Sequence, residues 1–275
     1  NHALKLDADY VATGHYALIK EKNNLFSLVS AKDNSKDQSY FLCQLGQEQL
    51  KKIIFPIGNL LKSEVREIAK KNNLATADRK DSQGLCFVGK IKIPEFLSSK
   101  LKKKRGDVIE IPTNHPLYLK KKINIQEKRK KILYKPSDGK VIGQHYGAHF
   151  FTIGQRKGLD IGGKKEPLFV IQTDVTNNII YVGMGEKHPG LFKESLKIKK
   201  NQCHWIRQDQ KIKIGEKKDF LIRTRYRQKL IPGKLIMDKD YLHIEFSEKT
   251  KSITPGQFAA WYLNNELIGS GPILE

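Results

Sequence analysis

The chain has 275 residues, and its 51 Lys and Arg residues against 29 Asp and Glu residues give a formal net charge of +22. Such an excess is typical of a protein that binds a polyanion, nucleic acid first and an anionic membrane surface second. No run of about 18 apolar residues occurs, which argues against a transmembrane helix. Most of the cations are Lys, and Asn and Ile are also abundant, so codon bias in an AT-rich genome remains an alternative cause of the charge.

The length suggests two domains, or three small ones. The chain begins with Asn1 rather than Met, and we interpret it as a fragment of a longer protein or as a processed product. Its three cysteines are Cys43, Cys86 and Cys203, and no pair has the C-x-x-C spacing of a structural zinc site or a dithiol motif. We therefore predict no metal site, and the few unpaired cysteines favour a cytoplasmic protein.

The first predicted elements are a helix at 1–6 and a strand at 9–13, which ends at Gly14 and His15. A second strand is predicted at 25–29. Ligands of open α/β sheets bind beyond the carboxyl ends of the strands. Gly14 and His15 would occupy such a position if the part of the protein before Asn1 supplies the rest of a parallel sheet.

Two helices are predicted next. A polar loop at 33–38 opens the first, at 39–45, and the second covers 61–71. In the second helix acidic residues lie early and basic residues late, which complements the helix dipole. Its apolar face consists of Leu61, Val65, Ile68 and Ala69.

Cys86 lies in the loop Lys80-Asp81-Ser82-Gln83-Gly84-Leu85-Cys86-Phe87, which is rich in small and polar residues. Gly84 allows a tight turn and a close approach to a substrate. Cations nearby in sequence would favour a thiolate, which makes Cys86 the best candidate for a reactive thiol. The alternative is a small buried hydrophobic residue, and the spacing alone favours that alternative.

A short helix is predicted at 94–97, before a cationic run at 100–105. The basic stretch at 120–135 has two open interpretations, a solvated hairpin insertion and a binding site, of which the first is favoured.

From about residue 140 the sequence is typical of β-structure. Two strands flank Asn177-Asn178, which is a hairpin signal. Along 241–246, apolar Leu242, Ile244 and Phe246 alternate with more polar residues, as in a half-buried strand. Short strands at this spacing suggest a small barrel. The predicted strands are 169–171, 179–182, 220–225, 234–237, 241–246, 258–262 and 266–269.

Several motifs in this order resemble those of one family, the tRNA-specific 2-thiouridylases of the bacterial and mitochondrial type. Besides the Cys86 loop, they are Asp9-Tyr10-Val11-Ala12-Thr13-Gly14-His15-Tyr16-Ala17, Lys36-Asp37-Gln38-Ser39-Tyr40-Phe41-Leu42, Pro56-Ile57-Gly58, Glu64-Val65-Arg66-Glu67-Ile68-Ala69, Phe151-Thr152-Ile153-Gly154-Gln155-Arg156-Lys157-Gly158-Leu159, Arg223-Thr224-Arg225-Tyr226-Arg227-Gln228 and Thr254-Pro255-Gly256-Gln257. No single motif is specific, but together they span nearly the whole chain.

The resemblance implies a fold of class α/β plus β. Residues 1–50 would be the C-terminal remainder of a parallel α/β ATP-pyrophosphatase domain. Residues 51–165 would form a small central domain with the persulfide loop and a basic insertion near 112–136, to which we assign no function. Residues 166–275 would form a C-terminal β-barrel.

The resemblance also implies an enzyme that uses ATP, as a substrate with Mg²⁺, to adenylate the C2 oxygen of the wobble uridine of tRNA. A protein persulfide then delivers sulfur to that carbon and AMP leaves. The persulfide cysteine matches Cys86, and its sulfur would come from a cysteine desulfurase or a relay protein. The family's Ser-Gly-Gly-x-Asp-Ser loop and its second catalytic cysteine are absent from this sequence, and neither Cys43 nor Cys203 matches the context of that cysteine.

The resemblance assigns the other site residues by position. Gly14 matches a backbone contact to ATP. The matches to tRNA contacts are His15, Lys36, Asp37, Gln38, Arg225, Tyr226 and, near the flipped uridine, Gln257.

Each assignment has a plainer alternative. His15 is then a satisfied loop histidine, Asp37 a helix cap, Arg225-Tyr226 part of an edge strand and Gln257 a turn residue. The glycine-rich segment 154–163 lacks the helix and Lys-Ser/Thr pattern of a phosphate-binding loop, so we predict no such loop there. The competing function is a non-catalytic basic RNA-binding module with a structural Cys86.

Overall fold

The computed structural model describes residues 3–78, 96, 101–119 and 132–274. The strands in these residues are β1 (Val11–Ala12), β2 (Ala17–Lys22), β3 (Leu25–Ser30), β4 (Ile53–Ile54), β5 (Gly106–Glu110), β6 (Lys140–His145), β7 (Leu168–Asp174), β8 (Ile179–Met184), β9 (Phe192–Lys199), β10 (His204–Trp205), β11 (Lys217–Arg223), β12 (Ile231–Met237), β13 (Tyr241–Lys251), β14 (Phe258–Leu263) and β15 (Glu266–Pro272). The α-helices are α1 (Gln47–Leu50), α2 (Lys62–Lys71) and α3 (Pro116–Leu119). Short 3-10 helices cover Ala3–Leu6, Ser39–Leu42, Pro136–Asp138, Ala148–Phe150, Pro189–Leu191, Lys200–Gln202 and Gln208–Gln210.

The chain divides into two compact units. The first unit comprises Asn1–Lys80, Leu196–Glu248 and Pro255–Glu275, and the second comprises Asp81–Ser195 and Lys249–Thr254. The domain boundaries predicted near residues 50 and 165 stay predictions.

The first unit contains a two-stranded parallel sheet of β1 and β4 and most of a nine-stranded sheet. The order of the large sheet is β2-β3-β15-β14-β11-β12-β13-β9, with β10 also paired to β15. The β2–β3 hairpin therefore extends the sheet of C-terminal strands, because β3 pairs antiparallel with β15 at Val29 and Glu266. Buried Leu28, Ile206 and Leu267 contribute to the core below this junction.

The second unit contains a four-stranded sheet in the order β6-β5-β8-β7, in which β5 and β8 are parallel. Neighbouring residues of one strand enter different hydrophobic clusters. Val108 belongs to one and Ile109 to the other, and the same holds for Val182 and Tyr181. Because successive side chains of a strand point to opposite faces, both faces of this sheet are covered.

Several predicted elements are confirmed, including the β7–β8 hairpin, in which Asn178 has a φ of 56°. An Asn side chain tolerates this left-handed conformation, which the turn requires. The helix predicted at 1–6 is wrong in type, since Ala3–Leu6 form a 3-10 helix, and the helix predicted at 39–45 is wrong in type and length, since the 3-10 helix there covers Ser39–Leu42. The helix predicted at 61–71 is confirmed as α2, but it has no fully buried residue and Ile68 of its apolar face is 49% exposed.

Three predicted features fall partly or wholly outside the described residues. They are the loop that contains Cys86, the helix at 94–97 apart from Phe96, and most of the basic stretch at 120–135. In the part of the chain that the structure describes, no helix is long and apolar enough to cross a membrane.

Candidate nucleic-acid interface

Gly14 and His15 follow β1 after Thr13, beyond the carboxyl end of a parallel strand. Gly14 is exposed, and a Cβ atom built on it meets nothing within 4 Å, so a ligand has room to approach the backbone. The half-buried His15 ring is held by Thr13, whose Oγ1 lies 2.9 Å from Nδ1, and by an edge contact with Phe55.

The loop at 36–38 is bound to the segment that follows His15. The Tyr16 backbone N–H donates to Gln38 Oε1 (2.9 Å), and the Gln38 N–H donates to the Tyr16 carbonyl (2.8 Å). This reciprocal pair fixes the loop beside the end of β1. The half-buried Lys36 lies two residues earlier in the same loop.

Asp37 is buried and joins this loop to β11. Its carboxylate accepts hydrogen bonds from the Ser39 N–H (3.1 Å), the Ser39 hydroxyl (3.0 Å) and the Ala31 N–H (3.3 Å). It also forms an ion pair with Arg223, with 2.6 Å between Oδ2 and the guanidinium. The side chains of the pair are 2% and 11% exposed, so Asp37 positions the loop from within.

Tyr40 connects the same segment to two turns of the large sheet. Its hydroxyl donates to the carbonyl of Thr224 (3.1 Å), after β11, and to that of Phe258 (2.9 Å), where β14 begins. Burial raises the pKa of Tyr40 to about 12, so the hydroxyl remains a donor at neutral pH.

The turn after β11 carries Arg225 and Tyr226. Gln228 Oε1 accepts from the backbone N–H groups of Thr224 (2.7 Å) and Arg225 (3.1 Å), which fixes the turn. Arg225 is exposed, and the half-buried Tyr226 ring packs against Phe41 with 4.4 Å between centroids.

Gln257 occupies the turn before β14, next to Gly256 with a φ of 84°. Its Oε1 is buried and accepts no hydrogen bond from the described residues. Because an unmet acceptor in a protein interior is unfavourable, this atom is a candidate to receive a donor from a ligand.

Three family models match the chain in order. They are described as a tRNA methyl transferase HUP domain at residues 1–90, a tRNA methyl transferase PRC-barrel domain at 118–184 and an aminomethyltransferase beta-barrel domain at 195–273. The tRNA-specific 2-thiouridylase MnmA of Christiangramia forsetii is 51% identical over 98% of this chain and 71% of its own length. The chain belongs to the tRNA-specific 2-thiouridylase family. The MnmA proteins of Flavobacterium johnsoniae and Karelsulcia muelleri are 51% and 50% identical, each over 98% of this chain and over 71% and 70% of their own lengths.

The matched domains confirm the predicted fold class of α/β plus β, with a C-terminal β-barrel. Although the descriptions of two of these models name methyl transfer, the curated relatives are thiouridylases, so this 2-thiouridylase family member is an enzyme of the sulfurtransferase type. The HUP-domain match and the family together imply that it uses ATP.

The eight predicted site residues other than Cys86 all lie in the first unit of this 2-thiouridylase homologue. Hydrogen bonds and ring contacts connect the segments that carry them. Cys86, the predicted persulfide site, lies outside the described residues. Sequence reasoning did not single out the connecting residues, because nothing local distinguishes a buried Tyr or Arg from a surface one. These residues are Tyr40, Phe41, Arg223 and Gln228.

The two described cysteines are free, and the pKa of each thiol is raised. Burial raises the pKa of the Cys43 thiol and raises that of Cys203 to about 12. Cys203 also contacts the Lys199 carbonyl (3.5 Å). Since the thiolate is the nucleophile, neither side chain is suited to carry sulfur at neutral pH.

The glycine-rich segment 154–163 lies in the second unit. Gln155 Oε1 accepts from the Thr152 N–H (3.0 Å), and its Nε2 donates to the Lys157 carbonyl (2.9 Å). The next regular element is strand β7 rather than a helix. Among the described residues, no cluster of three metal-ligating side chains occurs.

Proposed function

We propose that this protein is a tRNA-uridine 2-sulfurtransferase that thiolates the wobble uridine of tRNA through a persulfide on Cys86. One observation supports this beyond family membership. The four segments that match tRNA contacts are remote in sequence, yet Asp37, Gln38 and Tyr40 connect them within one unit. The alternative, a non-catalytic RNA-binding module, is not favoured, since the relatives matched over 98% of the chain are named as enzymes.

The tRNA contacts divide into two kinds. Exposed Arg225 is suited to a backbone phosphate, and Lys36 and His15 add polar contacts beside the end of β1. Gln257 Oε1 is suited to the uracil ring N–H, because a buried acceptor without a partner gains most from a donor. Asp37 and Gln38 act on RNA mainly by holding their loop in place.

ATP supplies the activation of the uridine C2 oxygen. When the outer persulfide sulfur bonds to C2, the C2–O bond breaks and AMP leaves with the oxygen. The thiol of the family's second catalytic cysteine then cleaves the S–S bond and forms a disulfide with Cys86. The described residues fit part of a nucleotide site. Gly14 leaves its backbone open at the carboxyl end of a parallel strand, where phosphates approach. We assign Mg²⁺ to the ATP phosphates as part of the substrate rather than to a protein cluster.

The sulfur enters as a persulfide on Cys86, donated by a cysteine desulfurase or a relay protein. A sulfur carrier needs an accessible thiol of lowered pKa. Cys86 matches the persulfide cysteine of the family, and the raised thiol pKa values of Cys43 and Cys203 disfavour those two as alternatives. Unpaired cysteines suit a reducing compartment, so we assign the reaction to the cytoplasm.

The test compares Cys86→Ser with Cys203→Ser in the enzyme. Digested tRNA is analysed by mass spectrometry for 2-thiouridine, and tRNA affinity is measured in parallel. We expect Cys86→Ser to abolish 2-thiouridine while leaving affinity nearly unchanged, since the substitution removes chemistry and little contact. Cys203→Ser is expected to retain activity. Thiolation by the Cys86→Ser enzyme would contradict the proposal.

A further inference from the structure

Phe41 is an aromatic side chain exposed beside the candidate tRNA contacts. The residue is 57% exposed. The neighbouring Tyr40, in contrast, is held by two hydrogen bonds to backbone carbonyls. Its ring packs against Tyr226, with 4.4 Å between centroids and 39° between planes. We call Phe41, Tyr226 and Arg227 the aromatic cluster.

Within the aromatic cluster, Tyr226 has little free ring surface. Phe41 lies against its ring, and the Arg227 guanidinium carbon lies 5.3 Å from its centroid. Tyr226 is half-buried, whereas Phe41 and Arg227 are exposed. The aromatic surface that remains available to a ligand is therefore that of Phe41, and Tyr226 supports it from behind.

The cluster is also held in place before any ligand binds. Tyr40 ties the helical turn that carries Phe41 to the carbonyls of Thr224 and Phe258. Gln228 fixes the turn that carries Tyr226. A preformed surface avoids most of the cost of ordering side chains on binding.

We propose that Phe41, supported by Tyr226, is a stacking platform for an unpaired nucleobase of the anticodon loop next to the thiolated uridine. This proposal rests on the proposed function. Single-stranded RNA is held by bases stacked on aromatic rings, and exposed Arg225 lies in the same turn as Tyr226 to neutralise the adjoining phosphate. The uridine itself belongs at Gln257, the neighbour of Phe258, whose carbonyl accepts the Tyr40 hydrogen bond.

The experiment measures the affinity of the enzyme for an anticodon stem-loop RNA by fluorescence anisotropy at fixed salt. Phe41→Ala is expected to weaken binding about 5- to 150-fold, the range for one lost base stack. Phe41→Leu keeps apolar area but loses the flat ring, and it is expected to fall between the alanine variant and wild type. Phe41→Trp is expected to bind at least as tightly as wild type.

A double-mutant cycle between Phe41→Ala and abasic positions of the RNA identifies the stacked base. Stem-loops with one abasic nucleotide at each loop position are titrated against wild type and Phe41→Ala. At one position beside the wobble nucleotide, the two losses should not add, because both changes remove the same contact. At the other positions they should add.

Tyr10→Ala is the matched control. Tyr10 is 58% exposed and also carries a cation–π contact, with Lys52, but it precedes β1 rather than following it. It should bind RNA like wild type. Phe41→Ala with unchanged affinity, or with additive losses at every loop position, would overturn the platform. Wild-type protein that does not bind the stem-loop would overturn the proposed function, and the platform with it.

Discussion

Asp37→Asn tests the buried ion pair that joins the 36–38 loop to β11. The amide can still accept from the N–H groups of Ser39 and Ala31, but its NH₂ group cannot accept from Arg223. The guanidinium is then left buried without a counter-charge, and its Nε already has no partner among the described residues. Removing one partner of such a pair destabilises a protein by about 3–5 kcal/mol. At about 2–4 °C for each kcal/mol, the melting temperature should fall by about 6–20 °C.

The assay uses the two tryptophans of the chain as reporters. Trp205 and Trp261 both lie in the first unit, so tryptophan fluorescence during urea unfolding follows that unit. The matched control is Asp78→Asn, which breaks the pair with Lys70 whose side chains are 60% and 84% exposed. Exposed pairs contribute little, so this control should unfold like wild type.

A second variant distinguishes the cost of the unpaired Arg223 charge from the cost of the other contacts that Asp37→Asn disturbs. Asp37→Asn combined with Arg223→Met removes both charges, and it should recover part of the stability because no uncompensated charge remains. If Asp37→Asn unfolds at the same urea concentration as Asp78→Asn, the pair does not hold the loop and the reasoning from burial is wrong.

Three further predictions concern RNA, sulfur and pH. Arg225→Ala should weaken tRNA binding by about 1–3 kcal/mol, measured by filter binding. The slope of log affinity against log salt concentration should also become shallower by the contribution of about one phosphate contact, and an unchanged slope would rule out that contact. After the protein is incubated with a cysteine desulfurase and free cysteine, peptide mass spectrometry should find added sulfur on Cys86 and none on Cys43 or Cys203. The reason is that burial raises the pKa of the Cys43 and Cys203 thiols. Added sulfur on either of these two residues would refute the assignment. Burial lowers the pKa of His188, so its neutral form stabilises the second unit above about pH 6.5, and that contribution is lost as pH falls through the lowered value. Hydrogen exchange between pH 7 and pH 5 should show this loss, and His188→Gln should show a flatter profile.

Local signals predicted the fold where the deciding contacts are local. The Asn177-Asn178 turn and its flanking strands gave the β7–β8 hairpin, because a hairpin depends on residues close in sequence. Strand β5 was not predicted, since its five residues follow a cationic run and pair in parallel with β8, more than sixty residues later. Periodicity predicted α2, but periodicity does not say what covers an apolar face, and Ile68 remains half exposed.

The family resemblance proposed the residues of the candidate site, and these stay predictions, but it did not indicate how the residues are arranged. The Asp37–Arg223 pair joins positions 186 residues apart, and the bond from Tyr40 to Thr224 spans 184. No pattern in the sequence indicates such separations. The same limit hid Phe41, whose exposure depends on what the fold leaves uncovered.

The pairing of β3 with β15 has a consequence during synthesis of the protein. The hairpin partner of β3 emerges from the ribosome early, but β15, which begins at Glu266, is made more than two hundred residues later. At about 5–20 residues per second, the β3 edge waits roughly 10–50 s for its second neighbour. Free strand edges are templates for association with other chains. The nascent chain therefore passes through an aggregation-prone interval that only β15 closes, and a ribosome that stops before Glu266 releases a protein with this edge unprotected.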